Sequence, residues 1–352
     1  MTKQPKEHPS APSAQNNLLI LAIESSCDET AAAVVGEDFR VYSNVIASSA
    51  GIHAKYGGVV PEIASRKHME YITQVVEETM QQANVGFSDL SAIAVTRGPG
   101  LAGALLCGVG YAKGIAYARN LPLIGVNHMI GHICANHLVH PDLKPPYLCL
   151  VVSGGHTHLL LCRGPLKLEL LGCTRDDAAG EAFDKVARAV GLGYPGGQQV
   201  EQLAKQGDEN AYHFASPAIP HTYDFSFSGI KTGVINLIHH AQQKGERMDM
   251  ADVAASFQKA AVDALLEHTF AAAQEYGIRQ VALCGGVSAN GLLREQAIKR
   301  GKDAGREVFL PDRILCTDNA AMIGCAAQFY YREGIFSDLT LNADPGLDIT
   351  TI

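Results

Sequence analysis

Two stretches of this chain repeat one plan: an apolar run, a short polar turn and a second apolar run, at residues 18–35 and again at 147–162. Apolar runs of this length bounded by turns form buried strands, and two of them joined by so short a link pair as a hairpin. The segments after each hairpin also recur. A third strand is expected at 41–47 and at 167–172, a later strand at 92–95 and at 280–284, a helix at 101–119 and at 289–302, and a closing strand at 123–126 and near Val308. Further helices are expected at 60–83, 178–190, 228–242, 252–276 and 319–331. Strands and helices interleaved in this way make an α/β protein. Residue-level similarity between the halves is weak, so the repeat is one of topology. We expect a disordered tail over 1–17, one lobe over 18–127 completed by 319–352, and a second lobe over 128–318.

The composition narrows the class. Apolar residues make up 47% and charged residues 18%, which fits a globular protein with a large core. The net charge of −8 argues against nonspecific nucleic-acid binding, which depends on a basic surface. A local patch around Arg66-Lys67-His68 and Lys299-Arg300, or a partner, would have to supply one. Nine dispersed cysteines without a Cys-x-x-Cys pair read as buried thiols in a reducing compartment. No apolar run reaches the roughly 18 residues a membrane helix needs. The tail resembles neither a signal peptide nor a presequence, so the expected address is the cytoplasm.

The sharpest local signal is Val-Asn-His-Met-Ile-Gly-His, 126–132. His128 and His132 are four apart, on one face of a helix that starts just past a strand end. Two imidazoles so placed can bind one divalent metal if a third ligand joins them. Their plain alternative is a pair of core histidines. A zinc protease is excluded because position 129 is Met where its general base would be Glu. Asp318, before the last helix, is either that helix's N-cap or the third ligand. His137 and His140 are expected further along the same helix, off that face, as solvent-side or terminal residues.

Other motifs carry less alone. Glu24-Ser25-Ser26-Cys27-Asp28-Glu29-Thr30 is a carboxylate–hydroxyl cluster or a solvated turn. Ser153-Gly154-Gly155-His156 can lend backbone N–H groups to a phosphate, or is an ordinary turn. Asp184 shares a helix face with Gly180. Tyr194-Pro195-Gly196-Gly197 is a tight loop with Glu201 a turn beyond. Gly285-Gly286-Val287-Ser288-Ala289-Asn290 is a strand–helix turn open to a nucleoside. Asp224 to Thr232 is an anchored loop or a substrate-facing one.

A duplicated fold of this kind clasps a nucleotide between its lobes, as in the actin, sugar-kinase and Hsp70 group. Taken together and in this order, the motifs over 18–336 resemble the tRNA threonylcarbamoyladenosine transferases, once called O-sialoglycoprotein endopeptidases. The motifs are Glu-Ser-Ser-Cys-Asp-Glu-Thr, His-Met-x-Gly-His, Val-Ser-Gly-Gly-His-Thr, Ala-Phe-Asp-Lys, Tyr-Pro-Gly-Gly, Phe-Ser-Phe-Ser-Gly, Gly-Gly-Val-Ser-Ala-Asn and Thr-Asp-Asn-Ala-Ala-Met. The wording of several is bacterial or organellar. The resemblance implies an actin-like ATPase (ASKHA, ribonuclease-H-like) fold of two lobes around a cleft. It implies transfer of threonylcarbamoyl from threonylcarbamoyl-AMP to the exocyclic amine of the adenosine 3′ of the anticodon, in tRNAs reading codons that begin with A.

The same resemblance makes His128, His132 and Asp318 ligands of one divalent metal, for which Fe(II) and Zn(II) both suit the donor set. It makes Val151, Val152, Ser153, Gly154, Gly155, Asp184, Gly197 and Asn290 contacts to the adenylate donor, with Glu201 at the ribose. Asp28 or Glu29 is the general-base candidate. Val151 stands where archaeal and eukaryotic relatives place a metal-binding Tyr. The implied partners are the tRNA anticodon loop, a non-catalytic paralogue of the same fold and a small P-loop ATPase, with no membrane. The alternatives from fold alone are a phosphotransferase or a non-catalytic nucleotide-binding paralogue.

Overall fold

The computed structural model describes residues 18–215 and 222–352. The expected tail, 1–17, lies outside them. The strands are β1 (Leu19–Glu24), β2 (Glu29–Gly36), β3 (Val41–Ser48), β4 (Ala92–Gly98), β5 (Leu123–Asn127), β6 (Tyr147–Val152), β7 (Thr157–Gly164), β8 (Lys167–Cys173), β9 (Gln280–Cys284) and β10 (Glu307–Phe309). The helices are α1 (Ala50–His53), α2 (Pro61–Ala83), α3 (Ala102–Arg119), α4 (His128–Cys134), α5 (Ala179–Ala189), α6 (Gly196–Ala204), α7 (Ser228–Lys244), α8 (Met250–Glu275), α9 (Gly291–Asp303), α10 (Arg313–Cys316) and α11 (Ala320–Arg332). The expected strands and long helices are all present; α1, α6 and α10 are additional and short.

The strands form two five-stranded sheets of one topology, ordered β3-β2-β1-β4-β5 and β8-β7-β6-β9-β10. In each, the first three strands are antiparallel and the last two run parallel to the first. The repeat inferred from the hairpins is thus realised strand for strand. Two antiparallel hairpins feeding parallel strands through helices make the actin-like architecture.

Helices α2 and α3 cover one face of the first sheet, and α11 covers the other. Close approach there depends on Gly324, where a Cβ would lie 2.4 Å from Val35 Cγ2. On the second sheet, Leu148, Leu150 and Val152 point into a core with α5 to α9, while Tyr147, Cys149 and Val151 point the other way. This alternation is the two-residue period of a strand buried on both faces.

Helix α4 lies between the sheets. Ile130 and Cys134 pack in the first sheet's core, and Met129 and Ile133 in the second's. At seven residues it is too short to be stable alone. Burial of Met129, Ile130 and Ile133, at roughly 1.5–3 kcal/mol each, is what holds it. Asn127 caps it, accepting from Met129 N at 3.0 Å. His137 and His140 do not continue this helix. The chain turns to a 3-10 segment at Ala135, His137 is buried against Tyr147, and burial lowers its pKa to about 4. The expected solvent-side placement is therefore corrected for His137. His140, half-buried, is held by Leu310 O at 2.9 Å.

Candidate metal centre and cleft

The two α4 histidines come together with a residue far along the chain. His128 Nε2 is 3.5 Å, and His132 Nε2 3.2 Å, from Asp318 Oδ1. One donor atom from each of the three lies within 4.8 Å of the others. Gly131 permits this, since a Cβ there would meet Ile323 Cδ1 at 2.7 Å and push α4 off α11. Asp318 is not the cap of α11; Asn319 is, accepting from Met322 N at 3.0 Å. Of the two readings of Asp318, the cap is thereby excluded.

His128 is oriented by a residue that the sequence presented as part of a polar turn. Glu24, wholly buried at the end of β1, meets His128 Nδ1 at 2.9 Å and also accepts from Thr96 Oγ1 at 2.6 Å and Ser26 N at 2.5 Å. Bonding Nδ1–H to a carboxylate leaves Nε2 as the free donor, the arrangement that commonly backs a metal-bound imidazole. Burial acts to raise the carboxyl pKa of both Glu24 and Asp318, yet His128 holds both below their usual range. Burial acts to lower that of His128, and the two carboxylates raise it well above normal. His132 is fully buried, yet neither ring nitrogen has a hydrogen-bond partner; its approach to Asp318 is short but not aligned as one. Buried polar atoms are nearly always satisfied, so an orphaned imidazole aimed at a carboxylate and a second imidazole fits a divalent cation.

The first hairpin turn is not solvated. Ser25, Ser26 and Asp28 are buried beside Glu24, and His68 clamps the turn by bonding Cys27 O at 2.9 Å and Thr30 Oγ1 at 2.8 Å. His68 therefore does not belong to a surface patch with Arg66 and Lys67. Lys67 pairs with Glu70, and Arg300 pairs with Asp263. Glu29 accepts from Ser48 Oγ at 3.0 Å. Burial first, then the charges of Asp318 and Asp28, raise its pKa to about 9.

The second hairpin turn, 153–156, offers backbone. Val151 and Val152 bury their side chains in opposite cores, and Val151 has no polar atom to offer. Ser153 N donates to His156 O at 2.8 Å and His156 N to Ser153 Oγ at 3.2 Å. A side chain at Gly154 or Gly155 would meet nothing within 4 Å. The start of α5 packs beneath, where a Cβ at Gly180 would lie 2.6 Å from Ser153 O. On α5, Asp184 accepts from Gly196 N at 2.8 Å, and burial raises its pKa. Gly197 is open. In this loop Tyr194 has its pKa raised by burial and then by the charges of Asp28 and Asp184.

Glu201 and Asn290 form a separate group. Glu201 Oε1 accepts from Gly291 N at 3.2 Å, and with Gln258 and Arg313 it walls a cavity of about 540 Å³. Asn290 caps α9 through Leu293 N and donates to Gln258 Oε1 at 2.8 Å. The aromatic–hydroxyl loop before α7 is anchored: Asp176 accepts from Ser226 Oγ, Phe227 N and Ser228 N. Sequence reasoning named Glu24 only within a carboxylate–hydroxyl cluster able to bind metal-phosphate or orient a nucleophile, and missed Thr96 and His68 as parts of the site. Glu24 closes a run of apolar residues, and that position was the signal available.

A family model described as tRNA N6-adenosine threonylcarbamoyltransferase matches residues 40–325. A protein of that name from Clostridium botulinum (strain Kyoto / Type A2) is 54% identical over 336 residues, covering 95% of this chain and 99% of its own. One from Clostridium perfringens (strain 13 / Type A) is 54% identical over 330 residues, covering 94% and 97%. Among solved structures, HypF of T. kodakarensis superposes with a TM-score of 0.62 at 16% identity, over 93% of this chain and 49% of that one. Component A of the Acidaminococcus fermentans (R)-2-hydroxyglutaryl-CoA dehydratase gives 0.52 at 13%, over 91% and 99%. Those two likenesses are of fold alone. By model match and by identity over nearly its whole length, the chain belongs to the tRNA N6-adenosine threonylcarbamoyltransferase family, and it is a transferase that modifies tRNA.

Proposed function

We propose that the chain carries threonylcarbamoyl from threonylcarbamoyl-AMP to N6 of the adenosine 3′ of the anticodon, in tRNAs reading codons that begin with A, with one divalent cation, Fe(II) or Zn(II), at His128, His132 and Asp318. The observation that carries the reading is the convergence of these three donors around an imidazole with no other partner. Held by His128, His132 and Asp318, a divalent cation would supply Lewis-acid charge to oxygens of the donor.

The chain's own residues do the rest. An exocyclic adenine amine is a poor nucleophile, so alignment with an already activated mixed anhydride is the main contribution asked of the protein. Gly154 and Gly155 let phosphate approach the backbone, with Asp184, Gly197 and Asn290 along the nucleotide and Glu201 at the ribose. N6 bonds to the carbamoyl carbon, the carbon–oxygen bond to phosphate breaks, and AMP leaves. The N6 proton goes to a carboxylate of the first hairpin turn, Asp28 or Glu29. The anticodon-loop base is already unpaired, so little stacking energy opposes its entry.

With an acidic chain whose Lys67 and Arg300 are already paired, tRNA docking falls to partners: a non-catalytic paralogue and a small P-loop ATPase, in the cytoplasm. Among the described residues no helix is long and apolar enough to cross a membrane. The test is reconstitution from synthetic donor, tRNA and purified partners. Wild type should form threonylcarbamoyladenosine and His132→Ala should not; unmodified adenosine with wild type refutes the proposal.

A further inference from the structure

The segment 337–352, after α11, runs from one lobe to the other, and the transfer chemistry gives it no task. Ser337 bridges to β5, its N donating to Leu123 O at 2.8 Å and its Oγ accepting from Gly125 N at 3.1 Å. Lys113 Nζ of α3 donates to Leu341 O at 2.9 Å. Asp344 N then donates to Arg97 O at 2.7 Å, and Pro345 O accepts from Gly100 N at 3.2 Å, so the segment lies over the end of β4. The fit there is close: a Cβ at Gly98 would fall 1.9 Å from Asp344 O. A little further on, Ile349 is buried in the second sheet's core, in the cluster that holds Met129, Ile133 and Val151.

Asn127 joins this strap to α4. Its side chain is wholly buried, and its amide nitrogen donates to Asp348 O at 2.9 Å and to Thr351 O at 3.0 Å. Its Oδ1 meanwhile accepts from Met129 N at 3.0 Å as the cap of α4. Two donors and an acceptor on one short side chain are what a primary amide offers; a carboxylate has no N–H to give. His128 follows directly as the first residue of α4, so the direction in which the chain leaves Asn127 decides where that imidazole stands against Glu24 and Asp318.

We propose that Asn127 is a positioning residue for the cation centre: by tying the strap at 348–351 to the first turn of α4, it holds His128 within reach of Asp318. This rests on the metal-dependent transfer reading. The three donors come from separate stretches of chain, and a cation binds them best when they need not be gathered on its arrival.

The test is Asn127→Ser, which keeps an oxygen able to cap α4 and gives up the amide that bonds the strap. Affinity for Co(II), read by chelator competition on folded protein, should fall about tenfold, the lower end of the loss when an outer support of a metal ligand is removed. The visible bands of bound Co(II) should shift, and donor KM should stay near wild type because the 153–156 turn is untouched. Gly98→Ala drives the strap off β4 at Asp344 without altering Asn127 and should lower Co(II) affinity too. The double variant should lose no more than the worse single one, since both act through one strap. Wild-type affinity and bands in Asn127→Ser overturn the proposal, as do losses that add in the double variant. Should Asn127→Ser not fold, Gly98→Ala decides alone, and wild-type affinity there overturns it. If wild type itself binds no Co(II), the metal reading fails instead. Asn127 is then judged in cation-free, 15N-histidine-labelled protein: the His128 ring signals should move in Asn127→Ser, and unmoved signals overturn the assignment.

Discussion

Replacing Glu24 by Gln probes how the cation site is built. The substitution keeps the shape of a fully buried side chain but removes its charge and replaces one of two acceptor oxygens with an NH₂. Glu24 accepts from His128 Nδ1 at 2.9 Å, Thr96 Oγ1 at 2.6 Å and Ser26 N at 2.5 Å, and an amide cannot serve all three. The amide NH₂ would confront either Ser26 N–H or both the imidazole N–H and the threonine hydroxyl, and in either placement the ring loses the carboxylate charge that holds its tautomer. Removing such an outer partner lowers metal affinity about 10- to 100-fold, or roughly 1.4–2.7 kcal/mol. Competition with a calibrated chelator at neutral pH reads this directly, and transfer at saturating metal should return toward the wild-type rate. An unchanged affinity, with a folded variant by circular dichroism, would refute the role given to Glu24.

Cation binding should be linked to protons. The carboxylates of Glu24 and Asp318 raise the pKa of His128 in the cation-free protein, so a proton competes with the metal. Affinity should rise as pH increases toward that raised pKa and fall below it, and calorimetry in buffers of different ionisation enthalpy should show about one proton released. Buffer-independent heats would contradict this. Gly180→Ala places a Cβ 2.6 Å from Ser153 O and 2.8 Å from Gly154 Cα. It should cost about 1–3 kcal/mol of stability and raise donor KM by displacing the 153–156 turn; a wild-type KM would show that this turn does not hold the donor.

The two sheets are legible in the sequence because each hairpin is an uninterrupted apolar–polar–apolar pattern, and β6 reads as apolar throughout since both its faces are buried. His128 and His132 are legible because helical spacing is local. Asp318 is nearly 190 positions away, and only the whole motif set singles it out; its distance to the histidines is set by α4 and α11 packing at Gly131, which no local pattern encodes. Glu24 and His68 escape a sequence reading for a related reason. A carboxylate in a Ser-Ser-Cys-Asp-Glu turn looks solvated until Thr96 of β4 and His128 of α4 close over it. His137 is misplaced by helical spacing carried on beyond Cys134, because the chain tightens at Ala135 and turns the ring inward.

The central claim is that one cation sits among three side chains drawn from α4 and the approach to α11. Anomalous diffraction from crystals grown with Fe(II) or Zn(II), recorded on either side of the metal's absorption edge, tests it most directly. The account predicts a single strong peak bonded to His128 Nε2, His132 Nε2 and a carboxylate oxygen of Asp318, and its loss in Asp318→Ala. A peak elsewhere, or none at the triad in protein that transfers threonylcarbamoyl at full rate, would contradict it.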